Sequence, residues 1–351
     1  MVKDSVSKSW TVGVDLGDKR SQLCVLDSEG QIVDEGSVVT SKAGFEHRFK
    51  SMPASRVVLE TGTHANWVHD LVKQFGHEVI VANARKVRAI SANERKSDKV
   101  DARMLAKLGR ADVTLLEAVS VRPEQVRQDL TLLRAREALV TARTEIVNSV
   151  RGLSKSLGHK LKKCSAATLH KHSVDPLLQA AIEPMLRMLE QLTKEIRGYD
   201  REIVLLSKTR YPQTKLLRKV KGVGPISALY FVLAIGDPSR FKDPRDVGAY
   251  FGLVPRRDQS GSHDPQLHIN KTGDRMARTL MVQCSHHILG PFGADSDLRR
   301  FGLKLAERGG KSAKKRAVVA TARKLSVLLF ALLRSGEVYE PLRNSAKSKA
   351  R

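Results

Sequence analysis

Short apolar runs alternate with polar positions from Trp10 to about residue 118. They predict strands at 11–16, 21–27 and 31–40, a helix at 42–50, a strand at 56–60, a helix at 65–75 and a strand at 78–82. Helices at 84–92 and 98–110 and a last short strand at 113–118 complete the segment. Three adjacent strands followed by alternating helices and strands predict a mixed sheet covered by helices, an α/β domain over 10–120. The strand signal then vanishes. Leu178, Ile182, Met185, Leu189, Leu192, Ile196, Tyr199, Ile203 and Leu206 recur at alternating steps of four and three, which is a heptad seam. A weaker seam, Leu132, Leu139, Ile146, Val150, Leu153 and Leu157, is interrupted by Arg136 and Arg143. Two long helices joined by a basic, turn-rich stretch predict a central antiparallel coiled coil over 121–210.

Residues 211–342 read as a mainly helical domain, followed by a basic tail at 343–351. Two apolar segments joined by Gly222-Val-Gly-Pro225 form a helix-hairpin-helix-like element, or else a Gly-Pro turn between packed helices. A helix at 244–252 precedes a polar loop, Pro255 to His263. Leu267 to Arg278 then leads into a helix ending near Leu289, and a basic linker through Lys311 precedes a final apolar helix at 317–334.

Charge changes the picture. Among 351 residues, 62 Lys and Arg against 37 Asp and Glu leave a net +25, spread along the whole chain. That distribution suits an extended polyanion, with nucleic acid foremost. No apolar run is long enough to span a bilayer and no signal-peptide pattern follows Met1, so a cytoplasmic chain with no membrane partner is expected. Three distant cysteines support neither a disulfide framework nor a zinc site. Aromatic residues at 5% disfavour base-stacking platforms.

Four acids are candidate metal ligands. Asp98 and Asp101 stand three apart on a predicted helix, where like charges on one face repel unless a cation lies between them. Asp15 and Glu60 close short apolar strands, an expensive position for a carboxylate without a partner. Oxygen-only ligation suits Mg2+ or Mn2+, and two such ions can clamp the attacking and leaving oxygens of a phosphodiester. Each acid also has a plain alternative: a strand-end turn with Gly17 for Asp15, a surface acid beside the Thr61-Gly62 turn for Glu60, a helix cap for Asp98, and an ion pair with Arg103 or Lys99 for Asp101. Ser260, beside Gly261 in an arginine-rich loop, is a candidate nucleophile, with Ser262 and Ser227 as rivals. Lys221, Gly222, Gly224, Arg256, Arg257, Lys271 and Arg278 are candidate nucleic-acid contacts. The histidines fall into no convincing metal spacing, and His64 and His69 read as surface or capping residues.

Taken in order, Val12-Gly-Val-Asp15-Leu-Gly, Leu59-Glu60-Thr-Gly, Lys96-Ser-Asp98-Lys-Val-Asp101-Ala, Lys221-Gly-Val-Gly-Pro225, Gly252-Leu-Val-Pro-Arg256 with Ser260-Gly261, and Lys271-x-Gly-Asp-x-x-x-Arg278 form a recognisable series. Over about residues 10–342 the chain resembles the DEDD-type insertion-sequence transposases related to the Piv DNA invertase, a family that includes bridge-RNA-guided recombinases. The resemblance implies a RuvC-like, ribonuclease H-like domain carrying Asp15, Glu60, Asp98 and Asp101 as magnesium ligands. It further implies a coiled coil, and a C-terminal transposase domain supplying Ser260. DNA strand exchange between donor and target, a dimer or tetramer, and a structured guide RNA are the partners and assembly it implies. The family often has a second glycine after Ser-Gly, where this chain has Ser262-His263-Asp264. No glycine-rich nucleotide-binding loop occurs, so ATP is not expected. A water-activating RuvC-like endonuclease and a non-enzymatic nucleic-acid-binding scaffold remain the rival readings.

Overall fold

The computed structural model describes residues 10–83, 97–172, 174–261, 265, 267–310 and 312–343. The expected helix at 84–92, the tail beyond 343, and Ser262, His263 and Lys311 lie outside the described residues. The chain divides into two units between Pro123 and Glu124.

The first unit is a five-stranded sheet of order β3-β2-β1-β4-β5, with β1 Thr11–Asp15, β2 Arg20–Leu26, β3 Ile32–Val39, β4 Arg56–Glu60 and β5 Glu78–Ala82. β1, β2 and β3 pair antiparallel, and β4 and β5 continue from β1 in parallel. Strand alternation sends Val12, Val14, Val57 and Leu59 to one face. There they form a core with Phe45 and Phe49 of α1 (Lys42–Phe49) and Val68 and Val72 of α2 (Ala65–Gln74). The other face is covered by α3, Asp98–Ala111, whose Leu105 packs on Val58 and whose Ala102 and Ala106 pack on Cys24 and Leu26.

Residues 113–116 are not the expected strand but a short 3-10 turn. Asp112 imposes it: its Oδ1 accepts from the Thr114 backbone N–H at 2.8 Å and the Thr114 hydroxyl at 2.7 Å. Those bonds also hold the Asp112 carboxyl below the usual carboxylate range. The segment still edges the sheet, since Asn83 N–H donates to the Leu116 carbonyl and Val119 N–H to the Val81 carbonyl.

In the second unit, α4 (Glu124–Ser156) and α5 (Pro176–Thr209) run antiparallel, with Asp129 facing Arg210, Arg136 facing Asp200 and Arg143 facing Thr193. Ile182, Leu189, Ile196 and Ile203 are buried at steps of seven along α5. Arg136 and Arg143, the two interruptions in the α4 seam, meet Asp200 and Thr193 respectively. The base of this pair shares a core with α6 (Thr214–Leu217), α7 (Pro225–Ile235), α8 (Asp246–Tyr250), α9 (Arg275–Leu289), α10 (Asp297–Glu307) and α11 (Ala313–Ser335). α7 is apolar all round, and every residue from Ser227 to Ile235 is buried, which makes it the centre of that core. Helix α10 was not expected from the sequence pattern. It starts at Ser296, whose hydroxyl accepts from the Arg299 N–H at 3.1 Å. Among the described residues no helix is long and apolar enough to cross a membrane.

Candidate functional site

The acids are placed by strand register and one helix crossing. Gly13 pairs with Val58 and Val14 with Leu59 in parallel register, so Asp15 and Glu60 are neighbours one step on, at the carboxyl ends of β1 and β4. Alternation puts both on the face covered by α3, the face of Gly13 and Val58. There α3 crosses so closely that a Cβ on Gly13 would lie 2.1 Å from the Ala102 carbonyl and 2.4 Å from the Ala106 nitrogen. Gly109 lies over Thr11 and Val58, so the helix runs antiparallel to β1 and its first turn points towards the Asp15 end. Asp98 and Asp101 stand on that first turn.

Two plain alternatives for these acids fail. Ser97, not Asp98, caps α3, its hydroxyl accepting from the Val100 N–H at 3.4 Å. Arg103 does not pair with Asp101 but with Glu35 of β3, at 2.6 Å through Nη2. Its guanidinium holds the Glu35 carboxyl below its ordinary value. Asp101 is 5% exposed, and its Oδ1 is buried with no hydrogen-bond partner. A buried carboxylate oxygen without a donor is costly, and a cation is one partner that satisfies it. Asp15 and Glu60 are half-buried and Asp98 is exposed. Among the described residues, no three His, Cys, Asp or Glu side chains are gathered tightly enough to hold an ion, so the acids share an edge without closing into a ligand set.

Ser260 belongs to the second unit and stands exposed in a loop with a short, rigid base. Pro255 bridges to Ile269, Arg256 N–H donates to the His268 carbonyl at 2.8 Å, and Asn270 N–H donates to the Val254 carbonyl at 2.9 Å. Below this ladder Gly252, at φ +67, lets Lys271 and Arg278 approach. A Cβ there would meet the Lys271 carbonyl carbon at 2.9 Å and Arg278 Nη1 at 3.0 Å. Arg278 Nη1 donates to the Phe251 carbonyl at 2.9 Å, and burial pulls its guanidinium below the ordinary value. One of its donors is thus committed to the backbone, while Arg256, Arg257 and Lys271 are exposed.

Lys221 is exposed beside Gly222, whose φ of +100 makes the tight turn, and Gly224 is the N-cap of α7 with Pro225 as its first helical residue. Gly222 packs against His287 and Ile288 of α9, so the turn has a structural duty whatever else it touches. Ser227, the other rival nucleophile among the described residues, is buried in α7, whereas Ser260 is exposed.

A DEDD-type IS110 transposase family model matches residues 12–157, and a transposase model of the IS116/IS110/IS902 family matches 214–295. The chain carries IS110/IS116 family transposase domains. The four acids fall within the first match and Ser260 within the second. Similar proteins include the transposase for insertion sequence element IS1111A of Coxiella burnetii, 26% identical over 93% of this chain and 90% of that one. A probable family 20 transposase of Pseudomonas aeruginosa is 26% identical over 94% and 98%. The pilin gene-inverting protein of Moraxella bovis is 23% identical over 84% of each chain.

Within these transposase domains the structure also brings together residues that the sequence pattern left unassigned. Asp274 caps α9, accepting from the Ala277 N–H at 3.0 Å, and accepts from the buried Tyr230 hydroxyl at 2.9 and 3.0 Å. Burial, then the adjacent carboxylate, pushes the Tyr230 phenol up. This bond ties the central helix α7 to the returning end of the serine loop. The only sequence signal for it was an aspartate two residues after Thr272 at a helix start.

Proposed function

We propose that this chain is a DNA recombinase of a mobile element that cuts and rejoins strands with Ser260 as nucleophile and the four acids as its metal ligands. The observation that carries the reading is the buried, partnerless Asp101 Oδ1 on the helix turn that points to the Asp15 and Glu60 end of β1 and β4. Asp15, Glu60, Asp98 and Asp101 would hold Mg2+ or Mn2+, which when bound would polarise the phosphoryl oxygens and lower the barrier to displacement. Ser260 Oγ attacks phosphorus, a serine–phosphate ester forms, the bond to the departing strand oxygen breaks, and the hydroxyl proton goes to solvent or to that oxygen. One ester replaces another, so resealing by a DNA hydroxyl needs no ATP. Arg256, Arg257 and Lys271 lie exposed around the serine loop and stabilise phosphate charge. Lys221 and the amides at Gly222 and Gly224 hold duplex backbone.

The mixed sheet with one helix over its acid edge supports a RuvC-like domain, and the seven-residue burial along α5 supports a coiled coil. DNA as substrate accords with the names of the similar transposases and pilin inverter and with the +25 charge. A structured guide RNA and a homo-oligomer follow from family resemblance, and a cytoplasmic location accords with a protein that acts on DNA. The test is recombination of paired DNA substrates with magnesium and the RNA transcribed beside the gene, comparing wild type, Ser260→Ala and Asp98→Ala. Recombinants and a protein–DNA adduct in wild type, lost in both variants, uphold the reading. One observation favours a second reading: all four acids lie within a unit that lacks the serine loop. A water-activating nuclease would therefore keep cutting after Ser260→Ala and form no adduct.

A further inference from the structure

The loops leaving β1 and β4 meet at the carboxylate edge. In the order β3-β2-β1-β4-β5, the chain leaves β1 towards β2 on one side and leaves β4 through α2 towards β5 on the other. In an open sheet, such a parting of connections leaves a crevice at the carboxyl ends of the strands, where ligands enter. Asp18, from the β1–β2 turn, and His64, four residues beyond Glu60, reach across it: His64 Nε2 lies 3.5 Å from Asp18 Oδ1.

His64 occupies the N-cap position of α2, yet its side chain caps nothing. Trp67 holds it instead, its indole N–H donating to His64 Nδ1 at 3.1 Å with the rings nearly perpendicular. Trp67 in turn packs edge-on against the buried Phe45, so the imidazole is anchored to the first unit's core. With Nδ1 accepting, the proton of the neutral ring sits on Nε2. That N–H is aimed at an aspartate whose side chain is 92% exposed, a weak partner that another anion displaces readily. An oriented donor four residues beyond the strand end that carries Glu60, with an exchangeable anionic partner, has the form of a phosphate contact.

We propose that His64 Nε2–H binds a non-bridging phosphate oxygen of a DNA strand entering the crevice beside Asp15 and Glu60, displacing Asp18, and so positions that strand. The inference rests on the DNA reading above. His64 is a positioning residue: it makes a hydrogen bond and no covalent bond changes.

The experiment is equilibrium binding of the full chain to a DNA duplex spanning the end of its own element, with calcium in place of magnesium so that binding is read without turnover. His64→Ala weakens binding about tenfold, the usual yield of one hydrogen bond to a charged group. His64→Gln, whose amide can place a donor near Nε2, recovers most of the loss, and Asp18→Ala leaves binding unchanged or tighter. All three melt with the wild type. Wild-type affinity in His64→Ala overturns the proposal while the DNA reading stands. So does an equal loss in Asp18→Ala, because the pair would then be a clasp between loops. A wild-type chain that neither binds nor cuts DNA overturns both.

Discussion

Asp15 and Glu60 are carried by neighbouring strands whose register is set by backbone pairing and whose reverse face is a dry core, whereas Ser260 stands exposed in a loop that leaves the fold at Val254 and returns at Asn270. The acid edge tolerates little adjustment, because α3 lies against a glycine with no room for a methyl group. Among the described residues the serine loop is held at its base by the two backbone hydrogen bonds of the Pro255–Ile269 bridge and by the Tyr230–Asp274 bond. Metal ligands need positions held to fractions of an ångström, and a nucleophile that must meet a flexible polyanion gains from a mobile reach. In the proposed reaction, rigidity belongs to the acids and adaptability to the serine.

The largest effect should come from the acid edge. Asp101→Asn lowers recombination ~10²-fold or more, because it removes one negative ligand from the metal. Without metal its melting temperature does not fall, since the wild-type oxygen has no protein partner to lose. Magnesium raises the wild-type melting temperature and leaves the variant's unchanged. Next, Gly13→Ala drives a methyl into the α3 backbone and costs about 2–3 kcal/mol in denaturant unfolding, with activity falling alongside. The matched change in the other region, Gly261→Ala, has open space around it and only a φ of +56 to oppose it. It costs about 1 kcal/mol, the strain of a left-handed backbone on an L residue. Equal costs at these two glycines would erase the distinction drawn between the regions.

Between them falls Tyr230→Phe, which leaves Asp274 short of a donor and costs about 1–2 kcal/mol. It loosens the serine loop, measurable as faster backbone amide exchange at Arg256 and Asn270. The smallest effect is in pH. Burial, and after it Glu35, pushes the Cys24 thiol up to about 11 from an ordinary value near 9. The folded state therefore retains this proton longer than the unfolded chain does. Its stabilising contribution is complete below about pH 9 and is lost as pH rises towards 11. Cys24→Val should flatten that part of the stability curve of the first unit.

The strands were legible because their alternation is regular: β1, β2, β4 and β5 fall within a residue or so of the expected spans. α3 and the long helices were equally plain from their periodicity. Residues 113–116 misled because Val113, Leu115 and Leu116 look like a strand, while the deciding bonds come from one aspartate side chain. Helix α10 was hidden by its arginines, and the ladder under the serine loop by its brevity, being held by backbone bonds rather than by an apolar pattern. The four acids could be named from the sequence, but the adjacency of Asp15 and Glu60 is a property of register across 45 residues. Nor could the sequence say that Arg103 would choose Glu35 and leave Asp101 Oδ1 without a hydrogen-bond partner. His64 was expected to lie at the surface or cap the helix; it is half-buried and caps nothing, because the Trp67 indole N–H, one turn on, takes its Nδ1.

The central claim is that acids and serine perform two parts of one reaction, and mapping the covalent adduct tests it most directly. Wild-type protein incubated with DNA and magnesium is digested, and the nucleotide-bearing peptide is sequenced by mass spectrometry. The account predicts a phosphodiester-linked nucleotide on Ser260, absent from both Ser260→Ala and Asp101→Asn. A nucleotide on another residue, an adduct that persists in Asp101→Asn, or cut DNA with no adduct would contradict it.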